Sequence, residues 1–281
     1  MLPAHVVAIV LLAAVLHAGW NVAVRARRDR RCESALMLLG GTLLAVVLLP
    51  FLPALPAAAW PYVLISSLLN GVFFILVAEA YAHGGIALAY PLMRGVAPML
   101  TLVTSWLVLG ETLPPLGWIG IAAICGGVLT LARRRGDAAE ARAARFALAN
   151  AVVISAYTLN DAVGVRISHT PLTYTLWMFP LSAIPTLLWL SRFTSLGVPS
   201  LAEATRGICG AGASIGAYTL VLWAMTRAPV APVAALRETS ILFVLALSWL
   251  TARRAATKAP GAATAAGAVL VFGGVAVLAL S

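Results

Sequence analysis

Five charged side chains stand inside long apolar runs of this chain: Glu79, Arg94, Asp161, Arg237 and Glu238. The other 23 of its 28 charged residues fall between such runs or at their ends. A charge inside hydrocarbon costs several kcal/mol unless it faces protein or water, so any site is expected among these five. Arg94 lies in residues 89–111, AYPLMRGVAPMLTLVTSWLVLGE, close to Pro91, Gly95 and Pro98. Proline removes a helical hydrogen bond, and the pattern predicts a bend or a locally unwound stretch there. Charge and broken backbone at one depth is how transporters build binding sites. The stretch returns as residues 236–254, LRETSILFVLALSWLTARR, with Arg237 on Arg94 and Ser248-Trp249-Leu250 on Ser105-Trp106-Leu107 without a gap.

Two readings of the arginines stay open. A guanidinium presents a planar fork of donors that grips a carboxylate or phosphonate. Alternatively each arginine neutralises a buried carboxylate and ties helices together. Glu79, across the hairpin from Arg94, and Glu238, next to Arg237, are the partners that second reading supplies. Asp161 is a candidate proton site or a partner for a substrate amine. Its structural alternative is a pair with Arg166, about a turn away. Trp20, Asn21, Tyr90, Tyr157, Trp177 and Trp223 offer apolar bodies with polar tips that could line a cavity, or simple packing and interface positions. Glu111 is expected at the membrane surface, capping or gating between the fourth and fifth helices. His17 reads as core packing. Cys32, Cys125 and Cys209 lack metal or redox spacing. Neither a metal set, a nucleophile triad nor a phosphate loop appears, so an enzyme is not expected and no cofactor is implied.

Residues of 62% hydrophobic and 10% charged type, with mean hydropathy +0.99, make a polytopic membrane protein of all-α class. A soluble domain carries about a quarter charged residues. The net charge of +10 sits in short clusters flanking apolar runs, which disfavours nucleic acid and points to the lipid surface as partner. Ten apolar segments can be marked, at 5–24, 34–52, 61–81, 87–109, 115–132, 147–165, 172–190, 207–226, 231–251 and 261–280. The first lacks a basic leader and is read as a retained helix rather than a signal peptide. Small residues at Gly120, Gly127, Gly210 and Ser214 permit close helix packing. Residues 70–85 repeat at 213–228 in the same register, and the double glycines Gly126-Gly127 and Gly273-Gly274 recur after a four-residue insertion. The division is therefore two five-helix repeats, 1–135 and 136–281. Five is odd, so the halves insert with opposite topology.

His17-Ala18-Gly19-Trp20-Asn21, Ala89-Tyr90-Pro91-Leu92-Met93-Arg94-Gly95, Leu109-Gly110-Glu111 and Leu236-Arg237-Glu238-Thr239-Ser240 resemble the motifs of EamA-type drug/metabolite transporters. The resemblance covers the whole chain, but the second half has Arg253-Arg254 where Gly-Glu would repeat. It implies a ten-helix bacterial inner-membrane transporter working by alternating access on a small polar metabolite, anionic or zwitterionic. Export is the role it implies first. Uptake or exchange of an organic anion such as a phosphonate or carboxylate is the second reading, and a non-transport membrane scaffold is the reading from another class. A homodimer is the remaining partner considered. Orientation divides the arguments. Connections after the odd-numbered helices carry 15 Lys/Arg and those after the even-numbered ones carry 2, which puts both termini outside the cytoplasm. The resemblance implies both termini inside.

Overall fold

Helices apolar on nearly every side can satisfy their own backbone in hydrocarbon, and helices are the only regular elements among the described residues. The structure, a computed structural model, describes residues 2–25, 30–84, 86–130, 138–192, 199–243 and 262–281. In chain order the helices are α1 (Ala4–Arg25), α2 (Arg30–Leu48), α3 (Trp60–Gly84), α4 (Ile86–Leu109) and α5 (Pro115–Leu129). After these come α6 (Ala138–Ser168), α7 (Pro171–Leu190), α8 (Leu201–Met225), α9 (Val230–Arg237) and α10 (Ala262–Leu280). Among the described residues four stretches are long and apolar enough to cross a membrane: Ala57–His83, Leu88–Leu109, Ala138–Ser168 and Leu201–Met225. Shorter apolar helices occupy Ala4–Gly19, Ala35–Phe51, Pro115–Leu129 and Ala266–Leu280. Large apolar side chains such as Leu43, Leu68, Leu107, Ile119, Val152, Leu188 and Phe272 point outward, where lipid rather than water suits them.

Packing places α3 against α6 and α7, α1 against α8 and α9, and α2 against α7 and α8. Helix α4 touches α5, α6 and α9, while α5 lies along α10. That last contact works at backbone distance. A Cβ on Gly127 would stand 2.7 Å from the Gly267 carbonyl oxygen, and one on Gly274 equally near that of Gly120. One end of the bundle gathers the 3-10 turn Ala57–Ala59, residues 109–115, the α6–α7 and α8–α9 turns and the C-terminus. Thr173 Oγ1 donates to the Pro53 carbonyl there, at 3.1 Å, and Ser281 lies beside Gly117. At the opposite end His83 stacks near Phe146, and Leu36 meets Gly207.

Two expected boundaries move. Helix α6 begins at Ala138 rather than 147, because AAEARAARF is a good helix former that carries on past the apolar run with Arg142 and Arg145 exposed. Helix α8 begins at Leu201 rather than 207. Ser200 and Glu203 form a capping box that starts it: the Ser200 side chain accepts from the Glu203 N–H and the Glu203 carboxylate accepts from the Ser200 N–H.

The expected unwinding of the fourth helix is not found. Helix α4 runs unbroken through Pro91 and Pro98, seated on α5 where Gly95 faces the Cys125 carbonyl and Leu129. One lost hydrogen bond per proline is offset by that packing. The break falls instead in the ninth segment, expected to be continuous over 231–251: α9 stops at Arg237, Glu238 and Thr239 form a turn, and helix resumes at 240–243. There the Glu238 and Thr239 N–H groups bond three residues back, at 3.0 and 3.1 Å. The Thr239 hydroxyl also donates to the Leu236 carbonyl at 2.7 Å, a local bond that competes with the regular ladder. The Ser248-Trp249-Leu250 repeat and Arg253-Arg254 lie outside the described residues.

Candidate functional site

The break in α9 delivers Glu238 between two arginines. Glu238 Oε2 is 2.7 Å from Nε of Arg94 on α4, and its Oε1 is 3.7 Å from Nε of Arg237. All three side chains are at most 9% exposed. Glu79, the partner expected for Arg94 from its place across the hairpin, is not that partner. It is 41% exposed, one turn from His83 on the same helix, and its carboxylate is 4.0 Å from His83 Nδ1. Hairpin proximity brings it to the end of α3, whereas Arg94 turns inward toward α9.

Two guanidiniums against one carboxylate leave the cluster a formal charge of +1. Its hydrogen bonding is also incomplete. The Arg94–Glu238 contact is close but bent, so Arg94 Nε and Nη2, Arg237 Nε, Glu238 Oε1 and the Ser240 hydroxyl are buried without a hydrogen-bond partner. Buried polar groups almost always have hydrogen bonds, and ion-paired atoms that lack one are expensive. The Tyr90 ring lies 6.0 Å from the Arg94 guanidinium, and Tyr157 stands within electrostatic reach of both arginines.

Asp161, fully buried on α6, is the second polar centre. Its Oδ1 accepts from the hydroxyls of Ser66 on α3 and Tyr174 on α7, the latter at 2.9 Å, and its Oδ2 accepts from the Tyr218 hydroxyl on α8. Asn160 donates to the Ser66 hydroxyl and to the Tyr62 carbonyl, both at 2.7 Å. The pair with Arg166 offered by spacing is not formed. Arg166 turns to the bundle end, donating to Glu111 Oε1 at 2.7 Å and to the carbonyls of Met225 and Ala228 at 2.9 and 3.2 Å.

Glu111 acts between other helices than those expected. Gly110 takes φ +66 and closes α4 with an αL cap, its N–H bonding the Trp106 carbonyl at 3.2 Å. That turn carries Glu111 over to the α9 N-terminus, where its Oε2 accepts the Val230 N–H at 2.7 Å. It thus clasps α6 and α9 rather than α4 and α5.

This first half, residues 5–133, matches the EamA-like transporter family. That family lies within the drug/metabolite transporter superfamily, so over this span the chain is similar to EamA-like transporters. Members of this family are membrane transporters rather than enzymes. A solved structure described only as "Crystal structure of protein" shares the fold, with a TM-score of 0.77 and 21% identity over 98% of both chains. Among curated proteins none matches the chain.

The remaining candidates separate. Trp223 has Arg227 5.7 Å over its ring and His5 at 6.2 Å, at the bundle end and not among the described contacts of the arginine cluster. Trp177 pairs edge-on with Trp60 at 4.8 Å. Trp20 and Asn21 lie on α1, with side chains outside the described residues. Ser66, Tyr174, Tyr218 and Ser240 escaped the reading of the sequence. Hydroxyls in apolar helices need partners, and that was the available signal. Which helices would face α6 was not.

Proposed function

We propose that this protein is a secondary transporter that carries a small anionic or zwitterionic metabolite through a site between Arg94 and Arg237. The buried cluster with its unpaired donors is the observation that carries the reading. An anion placed there would neutralise the formal charge of +1 and offer acceptors to the Arg94 and Arg237 donors that lack a hydrogen bond. As a mere brace the cluster makes poor sense. A buried ion pair holds helices no better than apolar packing, and here it leaves donors unused.

Ten crossings in two inverted halves, 1–135 and 136–281, complete the reading. Exchanging each of α1–α5 with its counterpart in α6–α10 turns the α3–α6 contact into α8–α1, α2–α8 into α7–α3 and α4–α6 into α9–α1. The α5–α10, α2–α7 and α4–α9 contacts map onto themselves, and every contact in this set is present. Arg94 lies about 12 Å along α4 and Arg237 about 10 Å along α9, entering from opposite ends of the bundle. Rocking of one half against the other about this shared depth is alternating access. The reading places the protein in a bacterial inner membrane with export as its direction.

The test is uptake and efflux in proteoliposomes with radiolabelled carboxylates, phosphonates and amino acids, and with organic cations as controls. Arg94→Lys and Arg237→Lys keep the charge but lose the fork. Each is expected to insert normally and lose most transport of an anion that the unaltered protein carries. Near-normal transport in both variants would leave the arginines as structure. Movement of none of these anions would favour the scaffold reading.

A further inference from the structure

We propose that Asp161 is a proton-binding site and that Tyr218 is the hydroxyl through which its protonation is passed to the arginine cluster. The inference draws its purpose from the transporter reading, though its test does not depend on that reading.

The carboxylate is held by three neutral hydroxyls from three different helices, α3, α7 and α8, and among the described residues no cation is bonded to it. The ionisable groups packed around it are Tyr62 from α3, Tyr174 from α7 and Tyr218 from α8, with Tyr157 on α6 itself. Arg237 of α9 acts on it from farther off, Glu238 beside Arg237 is engaged with the arginines, and Arg94 of α4 reaches it only by way of Tyr157. A carboxylate accepts all three hydroxyl hydrogens at once. Protonated, it has a hydrogen of its own to place and must turn one of these hydroxyls from donor to acceptor.

The acceptor inventory selects which one. Oδ1 already takes two hydrogens, from Ser66 and Tyr174, while Oδ2 takes one, from Tyr218. A proton from hydronium therefore adds to Oδ2: the carrier's O–H bond breaks, water leaves and one O–H bond forms on the carboxyl. The Tyr218 hydroxyl then accepts from Asp161 and swings its own hydrogen away. Ser66 and Tyr174 are fully buried, but Tyr218 is partly exposed, packs against both larger apolar clusters and interacts electrostatically with Tyr157. Tyr157 in turn lies within electrostatic reach of Arg94 and Arg237. The hydrogen released by Tyr218 thus turns toward the substrate site, which is the linkage a proton-coupled carrier requires.

Infrared difference spectra of the full chain in lipid nanodiscs, between acid and alkaline pH and with no substrate present, test this directly. Among the carboxylic-acid carbonyl bands that appear on acidification, one component is expected to be lost in Asp161→Asn and kept in Glu238→Gln. A tyrosine C–O component marking the donor-to-acceptor change is expected with it, lost in Tyr218→Phe and kept in Tyr174→Phe. Should Asp161→Asn fail to fold, the tyrosine pair decides. Carbonyl bands that Asp161→Asn leaves unchanged at every pH where the protein stays folded, or a tyrosine component lost in Tyr174→Phe instead, would overturn the proposal. Since no substrate is used, such a result leaves the anion site standing. Failure of the lysine variants would equally leave this titration untouched.

Discussion

Glu238 sets the stability of the polar core more than either arginine does. Removing its charge leaves two buried guanidiniums without the carboxylate that contacts both, whereas removing Arg94 still leaves Glu238 beside Arg237 at 3.7 Å. Breaking a buried pair so that charge stays unpaired costs about 3–5 kcal/mol. Glu238→Gln is therefore expected to lose about that much, Arg94→Ala less, and the double variant less than the sum of the two, as coupled neighbours require. Glu79→Gln, at an exposed position, should fall within about 0.5 kcal/mol of the parent. Denaturation in detergent micelles measures all four. A destabilised Glu79→Gln beside an unaffected Glu238→Gln would reverse the assignment of partners. The sequence identified the members of this core because charge in hydrocarbon is rare enough to count. It did not identify the pairing, because partners on α4 and α9 are 144 positions apart along the chain. Asp161 shows the same limit: its carboxyl was legible, and its three hydroxyl donors, on α3, α7 and α8, were not.

Element boundaries were legible where composition changes sharply and blurred where a helix outruns its apolar stretch, as α6 and α8 do. The proline-based expectation failed for a physical reason. Pro91 and Pro98 each forgo one hydrogen bond in a helix clamped by α5 and α6, while the α9 break, where the Glu238 and Thr239 N–H groups bond three residues back, is one that hydrophobic patterning does not register. The double glycines give the sharpest test at this scale, since the two members of each pair do different things. A side chain on Gly127 would strike the Gly267 backbone at 2.7 Å, but Gly126 has nothing within 4 Å. On α10, Gly274 meets Gly120 at 2.7 Å and Gly273 meets nothing. Gly127→Val and Gly274→Val should each cost about 1–3 kcal/mol through overpacking, or force α5 and α10 apart. Gly126→Val and Gly273→Val should be tolerated, pointing only to lipid or open space. Equal melting temperatures for Gly126→Val and Gly127→Val would show that the α5–α10 contact is looser than this geometry.

At the scale of the whole molecule the open matter is which end faces the cytoplasm, and the fold sharpens the argument from charge. The connections that carry 15 of the Lys/Arg residues follow α1, α3, α5, α7 and α9. Successive helices joined by short turns alternate in direction, so these connections are expected at one end of the bundle, the end where the described residues His83 and Phe146 meet. Arg142 and Arg145 stand there exposed on the first turns of α6. The opposite end, with both chain termini and the Glu111–Arg166 clasp, has its arginines engaged: Arg166 holds Glu111, and Arg227 lies over Trp223. Lys and Arg in short loops resist translocation, so the arginine-rich end is expected in the cytoplasm and the clasp outside it. Single cysteines at Ala138 and His169, in a background with Cys32, Cys125 and Cys209 replaced by serine, decide the matter. An impermeant maleimide added to intact cells should label His169→Cys and spare Ala138→Cys until the membrane is opened. The reverse pattern would mean that the arginine clusters are outweighed, and would put both termini in the cytoplasm, as the family motifs imply.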